Sequence, residues 1–270
     1  TSLEKGLVNP QTIIDTTPFR WNRKTYQDYK NYGPTNSVED IIMKSSNVGT
    51  IRMALAAGTS AQKKTLKDLG FFEAVPVELG EASRTKPQIP KNWSDTSTIT
   101  ISFGHGISAT PLHLATAYSI VANGGFRVKP TIKKIDFGNL SREQVISPKT
   151  SQQLISMLRR VVSEKDGTAK MAKVEGYEVA GKTGTAEKIK PTGGYYDDKV
   201  IATFASIFPA SDPKYTLVVS LDEPEIEVYG KNRRTAGYTS VPVAAEIISR
   251  VAPILNLRPI VPNNKMTYTS

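Results

Sequence analysis

The chain of 270 residues contains no cysteine and only two histidines, His105 and His113. The absence of cysteine excludes disulfides, thiol nucleophiles and cysteine-ligated zinc, and it suits an oxidising compartment such as the periplasm. With two histidines, neither a histidine metal cage nor a Ser-His-Asp triad is expected. We therefore predict no metal and no cofactor, and any nucleophilic chemistry would use lysine as its base.

Long apolar runs are also absent. No stretch of 18 or more apolar residues occurs, so no membrane span is predicted within the chain. No signal peptide is visible, and the first residue is Thr1 rather than methionine. We expect the chain to be a piece of a longer product, with any anchor or export signal upstream.

The formal charge of +10 favours anionic partners. The lysines and arginines are spread along the chain, without a basic run or interleaved aromatic residues. Nucleic-acid binding is therefore not predicted, and a solvated basic surface is the simpler interpretation.

Helix-start patterns occur at four serine or threonine residues, namely Ser37, Thr110, Ser147 and Ser240. The first predicts a short helix, followed by a second helix that stops at Gly58. Ser45-Ser46-Asn47 would lie at the junction of these two helices.

Between the later helices, the sequence is typical of β-structure. Val200–Phe208 and Tyr215–Leu221 are predicted strands joined by a turn, preceded by a strand through Thr183–Ile189, and a further strand is predicted through Phe126 and Val128. Tyr195–Asp198 is assigned to a loop. Strands this close in sequence pair antiparallel, so the predicted fold class is α+β, an antiparallel sheet flanked by helices.

The octet GYEVAGKT, Gly176 to Thr183, matches the phosphate-binding pattern G-x-x-x-x-G-K-[ST]. That loop requires a strand before it and a helix after it. Here the variable residues favour a strand, and Gly184 after the lysine is poorly suited to a helix. A second interpretation places Lys182 on an edge strand, where a charge blunts aggregation or attracts an anion. Gly184 would then allow another chain to approach closely.

Lys182-Thr183-Gly184, together with the upstream Ser45-x-Asn47, resembles the motif set of penicillin-binding proteins and serine β-lactamases. The resemblance covers nearly the whole chain and is greatest to the monofunctional class B transpeptidases of the division-specific FtsI type. It is carried by segments 3–16, 104–125, 200–219 and 235–247.

This resemblance implies that residues 1–261 are the C-terminal portion of a transpeptidase domain and form part of its fold. The polar composition of residues 262–270 predicts a disordered tail. It implies a peptidoglycan D,D-transpeptidase that cross-links stem peptides ending in D-Ala-D-Ala through an acyl-serine and is a target of β-lactam antibiotics. It also implies a periplasmic domain of an inner-membrane-anchored protein, with other cell-division proteins as partners.

The resemblance also assigns roles to residues. Ser45 would relay a proton, Asn47 would bind the substrate amide, and Lys182 would provide positive charge. The hydroxyls of Thr183 and Thr185 would bind the terminal carboxylate beside Gly184, and the Thr185 backbone N–H would be one oxyanion-hole donor.

The family nucleophile belongs to a Ser-x-x-Lys motif that precedes Ser45. Of the four such strings here, those at Ser60, Ser83 and Ser211 follow Ser45, and only Ser2 precedes it. The segment after Ser2 resembles the end of the family's nucleophile helix, so Ser2 is not expected to be the nucleophile. We expect the catalytic serine and its lysine upstream of Thr1.

Other functions remain open from the sequence. A β-lactamase or D,D-carboxypeptidase would share the fold, although no deacylating base such as Glu-x-x-Leu-Asn is apparent. A non-catalytic β-lactam sensor or binding module is a further alternative, and a nucleotide binder is the last. His105 is expected to be a turn or strand-end residue, because the sequence places no second histidine or carboxylate beside it, and His113 is expected to be a structural helix residue.

Overall fold

A computed structural model describes residues 1–135 and 143–260. Within these residues the chain forms seven α-helices and nine β-strands. The helices are α1 Val38–Lys44, α2 Asn47–Ala57, α3 Thr59–Asp68, α4 Asp95–Ser102, α5 Pro111–Ala122, α6 Pro148–Ser163 and α7 Ser240–Ile254. The predicted tail, residues 262–270, lies outside the described residues.

The strands form one three-stranded sheet and three two-stranded sheets. The strands are β1 Ile13–Asp15, β2 Phe19–Trp21, β3 Lys24–Tyr26, β4 Thr35–Ser37, β5 Ala180–Ile189, β6 Tyr195–Phe208, β7 Tyr215–Asp222, β8 Ile226–Val228 and β9 Lys231–Arg233. β1 pairs with β4, β2 with β3 and β8 with β9, while the larger sheet has the order β5-β6-β7. All pairs are antiparallel, so the predicted α+β class is confirmed.

Three of the four start signals in the sequence correspond to side-chain caps, whereas α7 begins at Ser240, as predicted, but without a side-chain cap hydrogen bond. The side chains of Ser37, Thr110 and Ser147 accept hydrogen bonds from the backbone N–H three residues ahead, at the starts of α1, α5 and α6. Each cap satisfies a donor that the helix itself leaves unpaired. α2 ends before Gly58, as predicted, and its cap has a positive φ of 85°.

Two strand predictions are wrong in detail. Tyr195–Asp198 belongs to β6 rather than to a loop, because a tight turn around Gly193 and Gly194 lets the hairpin continue to the pair Ile189–Tyr195. At Phe126 there is only an isolated bridge to Gln144. The amide of Asn123 donates to the Phe126 carbonyl and accepts from its N–H, which competes with strand pairing.

The three-stranded sheet has helices on both faces. Side chains in register at Thr183, Phe204 and Val219 share one face. There Phe204 is fully buried in a core with Val241, Ala244 and Ile248 of α7. On the opposite face, Ala180 packs against Leu158 of α6. Each fully buried large apolar side chain contributes about 1.5–3 kcal/mol, so this core fixes the sheet between its helices.

β5 is an edge strand, because the order β5-β6-β7 leaves one side of it unpaired within the sheet. The junction of α1 and α2 lies beside this strand, where Ser45 contacts Lys182. Among the described residues, no helix is both long and apolar enough to span a bilayer.

Candidate active site

The C-terminus of α1 brings Ser45 to β5. Ser45 caps α1 with φ 62° and ψ 49°, a left-handed conformation, which costs a residue other than glycine about 1–2 kcal/mol. Its exposed hydroxyl accepts a hydrogen bond of 2.8 Å from the Nζ of Lys182. Because the oxygen accepts from lysine, the serine proton remains free to be donated.

Asp28, in the loop after β3, holds this junction in place. Its Oδ2 accepts a 2.6 Å bond from the hydroxyl of Ser46, and its Oδ1 accepts a 3.0 Å bond from the N–H of Val48. The Ser46 oxygen also accepts from the N–H of Gly49, which caps α2. Ser46 is buried. A carboxylate on the first turn of a helix is electrostatically favoured as well.

Lys182 lies near the start of β5. Desolvation lowers the pKa of this lysine from 10.5 to about 8, because burial disfavours the charged form. Besides Ser45, the ammonium donates to the carbonyl of Thr183 at 3.3 Å. In the described part of the chain no carboxylate forms an ion pair with Lys182. The site thus holds a desolvated cation that lacks a counter-ion.

The two threonines of the strand are oriented by neighbouring loops. Thr183 Oγ1 lies 2.9 Å from Thr168 Oγ1, and either hydroxyl can donate. Thr185 Oγ1 accepts a 3.0 Å bond from the N–H of Ala236, in the loop before α7. The Thr185 proton is therefore available to an external acceptor, such as a carboxylate.

Gly184 leaves the strand open between these threonines. A Cβ built at Gly184 would meet only the Thr203 carbonyl oxygen, at 4.0 Å. The residue is exposed, so a second chain has access to the strand at this point. This geometry supports the expectation that glycine permits a close approach.

Asn47 is the first residue of α2 and is half-buried. Its side-chain amide has no hydrogen-bond partner within residues 1–135 and 143–260. The amide is thus free to bind a ligand group. Asn47 and Ser45 flank the buried Ser46, so both are carried by the junction that Asp28 holds.

None of the four Ser-x-x-Lys serines, all within the described residues, is hydrogen-bonded to Ser45 or Lys182. The hydroxyl of Ser2 donates to the Met53 carbonyl at 3.0 Å, and that of Ser83 donates to the Gly80 carbonyl at 2.9 Å. Ser60 lies at the start of α3, and Ser211 lies in the β6–β7 turn. These serines are therefore poorly placed as nucleophiles.

His105 has a carboxylate partner that the sequence did not reveal. Its Nε2 lies 3.0 Å from Oε2 of Glu187, across 82 residues of sequence. A pairing between a loop and a distant strand leaves no local pattern in the sequence. His113 is structural, as predicted: it is buried, Nδ1 contacts the Thr110 hydroxyl, and Nε2 contacts the Glu73 carbonyl.

A nucleotide loop is absent at GYEVAGKT. Lys182 lies inside β5, which continues to Ile189 without a helix. The loop-to-helix geometry that binds phosphates is therefore not formed. Instead, Lys182 and the hydroxyls of Thr183 and Thr185 follow one another along an edge strand, and such donors are suited to a carboxylate.

The family model for the penicillin-binding protein transpeptidase domain matches residues 1–249. Penicillin-binding protein PbpB of Mycolicibacterium smegmatis is 36% identical over 266 residues, which covers 92% of this chain and 40% of the relative. Peptidoglycan D,D-transpeptidase FtsI of Escherichia coli is 34% identical over 260 residues, covering 96% and 42%. The chain thus spans about two fifths of the length of these relatives.

Solved structures agree with the family match. The apo transpeptidase domain of penicillin-binding protein 3 from Burkholderia pseudomallei superimposes with a TM-score of 0.88 at 30% identity, covering 97% of this chain and 77% of that one. Penicillin-binding protein 3 of Mycobacterium tuberculosis, in complex with ampicillin, gives 0.84 at 28% identity, covering 97% and 61%.

Proposed function

Because the chain belongs to the penicillin-binding protein transpeptidase family, we propose that it forms the substrate-holding part of a peptidoglycan D,D-transpeptidase. The substrate would be a stem peptide ending in D-Ala-D-Ala, and β-lactams would occupy the same site. The 2.8 Å contact between Lys182 and Ser45 carries the proposal, since it joins the two motifs expected at such a site.

The reaction consists of two acyl-transfer steps. A serine hydroxyl attacks the carbonyl carbon between the two D-alanines, the peptide C–N bond breaks, and the terminal D-Ala leaves with a proton. An amine of a second stem peptide then attacks the ester, and the serine recovers its proton. The new peptide bond is the cross-link.

Each site residue has a part in holding that substrate. Lys182 and the hydroxyls of Thr183 and Thr185 bind the terminal carboxylate, and Asn47 binds an amide of the peptide. Ser45, hydrogen-bonded to Lys182, passes a proton to the leaving amine. The Thr185 N–H stabilises the oxyanion.

The nucleophilic serine comes from outside these 270 residues in this proposal. Ser2, Ser83, Ser60 and Ser211 make other contacts or lie elsewhere, as described above. Residues 1–261 would then be the C-terminal portion of a transpeptidase domain. We place that domain in the periplasm, anchored by a segment outside this chain, where it works with cell-division proteins. Filamentation of cells depleted of the protein would support this last point, and normal division would contradict it.

Fluorescent penicillin tests the assignment. The 270-residue chain should show no covalent band on a denaturing gel, whereas the same chain lengthened upstream with the gene's own sequence should be labelled. In the lengthened protein, Lys182→Met should reduce labelling, and Glu246→Gln, on the exposed face of α7, should not. A label mapped to Ser2 or Ser45 would refute the proposed origin of the nucleophile. An unlabelled lengthened protein would refute the enzyme proposal.

A further inference from the structure

The strand β5 continues past the threonine pair to an exposed carboxylate. The side chains of Thr183, Thr185 and Glu187 point to the same face of β5, because alternate residues of a strand share a face. Each of the three residues pairs with a residue of β6. Two residues of a strand span about 7 Å. Glu187 is therefore the next side chain on this face after the proposed carboxylate site.

Glu187 is half-exposed and is paired with a histidine. Its side chain is 48% exposed, and its partner is the imidazole of His105 rather than a lysine or arginine. By contrast, Asp222 and Glu223 both pair with Lys188. In the described ranges no lysine or arginine forms an ion pair with Glu187, so no fixed positive charge neutralises it.

The group that faces Glu187 is an imidazole. Nε2 of His105 lies 3.0 Å from the carboxylate, while Nδ1 is buried without a hydrogen-bond partner in the described residues. Unlike lysine or arginine, an imidazole can orient a carboxylate through one N–H without carrying a permanent positive charge.

Aromatic rings complete the surroundings. His105 lies edge-on to Phe103 at 5.3 Å and to Tyr195 at 5.8 Å between ring centroids. Tyr195 is 45% exposed, so part of its ring is accessible to a ligand. A carboxylate beside an exposed aromatic ring suits a cation, because the carboxylate accepts charge-assisted hydrogen bonds and the ring attracts positive charge.

The distance along the strand decides which part of a peptide would reach this pair. An extended peptide advances about 3.3 Å per residue, so the residue third from its C-terminus lies about 7 Å from the terminal carboxylate. That matches the separation of Thr185 and Glu187. We propose that Glu187 and Tyr195 bind the protonated side-chain amine of the stem-peptide residue that precedes D-Ala-D-Ala. The inference rests on the proposed function, which places the terminal carboxylate at Thr185.

Two tripeptides test this proposal on the chain by calorimetry at neutral pH. One is Nα-acetyl-L-Lys-D-Ala-D-Ala, with a free side-chain amine, and the other is the same peptide acetylated on both amines. We expect the free amine to bind about tenfold more tightly, the ratio given by one charge-assisted hydrogen bond at a half-exposed site. Glu187→Gln should abolish the difference by weakening only the free-amine peptide. Glu246→Gln removes the same charge from α7 and should preserve the difference.

The outcomes separate the two proposals. If wild type binds both peptides equally and Glu187→Gln changes neither affinity, the amine site is refuted while the carboxylate site stands. If Thr185→Val leaves both affinities unchanged, or neither peptide binds, the proposed function fails and the amine site falls with it.

Discussion

The ammonium of Lys182 donates a 2.8 Å hydrogen bond to the hydroxyl of Ser45, across 137 residues of sequence. One partner lies on an edge strand, and the other is a left-handed helix cap. The contact joins the helical and sheet regions at an exposed edge. Since both groups retain capacity to bind a ligand, we propose that this junction is a binding site as well as a structural contact.

Ligand binding should weaken in alkaline solution. Desolvation lowers the pKa of Lys182 to about 8, so the positive charge that attracts a carboxylate is lost as the pH rises above that value. The affinity for the doubly acetylated tripeptide, which has no titrating group in this range, should fall from pH 7 to pH 9. Lys182→Met should bind weakly without that step. An equal pH dependence in both proteins would contradict the role of Lys182.

The titration of Lys182 should also affect stability. The free energy of unfolding should rise with pH over the range in which ligand affinity falls. The folded-state pKa of Lys182, about 8, is below the unfolded value of 10.5. Between these values the unfolded chain binds more protons at this residue, so the free energy of unfolding due to Lys182 rises with pH. Below pH 8 the full cost of burying the charge is present. Urea unfolding of wild type and Lys182→Met should therefore give a difference that favours wild type increasingly from pH 8 to 10.5.

Asp28, which accepts hydrogen bonds from the α1–α2 junction, should contribute to the stability of the protein. Asp28→Ala leaves the buried Ser46 hydroxyl and the Val48 N–H without their acceptor, and we expect a loss of about 1–3 kcal/mol. Asp28→Asn keeps one acceptor and should lose less. A double-mutant cycle with Ser46→Ala, followed by urea unfolding, measures the coupling. Additive effects of the two substitutions would contradict the contact.

Two glycines of β5 provide a matched pair. A Cβ at Gly181 would lie 2.6 Å from Cζ of buried Phe204 and 2.7 Å from the Ala205 carbonyl oxygen, whereas Gly184 has room. Gly181→Ala should destabilise the protein by about 1–3 kcal/mol through overpacking. Gly184→Ala should change stability by less than about 0.5 kcal/mol but weaken tripeptide binding. Equal stability losses in thermal unfolding would contradict this difference.

The hydroxyl of Thr185 can be tested by size-matched substitution. Thr185→Val removes the acceptor for the Ala236 N–H and the donor for a carboxylate, so tripeptide binding should fall about tenfold. Thr185→Ser keeps the hydroxyl and should retain most of the affinity. Calorimetry on the three proteins gives the comparison. Equal binding by the valine and serine variants would remove Thr185 from the site.

Local patterns were enough to predict much of this molecule. Ser37, Thr110 and Ser147 act within one helical turn, so their caps could be located from sequence, and the β-propensity of Tyr215–Leu221 is likewise local. The short motifs at Ser45 and Lys182 were recognised as a set, but their 2.8 Å contact could only be expected from the family resemblance.

The polar pairs between residues far apart in the sequence could not be predicted from the sequence. Asp28 lies 18 residues before Ser46, in a loop with no regular pattern. The pairing of His105 with Glu187 depends on how a loop folds over a strand 82 residues away. Such contacts depend on tertiary packing rather than on propensity or periodicity. They also occupy the surroundings of the site, where the proposals about positioning and amine binding arise.

Nuclear magnetic resonance of the labelled chain tests the central claim most directly. A D-Ala-D-Ala tripeptide should shift the side-chain amine resonance of Lys182 and the backbone amides of Thr183, Gly184 and Thr185, and Lys182→Met should reduce the affinity. If the peptide leaves these resonances unchanged, or if ATP shifts them instead, the edge of β5 is not the carboxylate site that we propose.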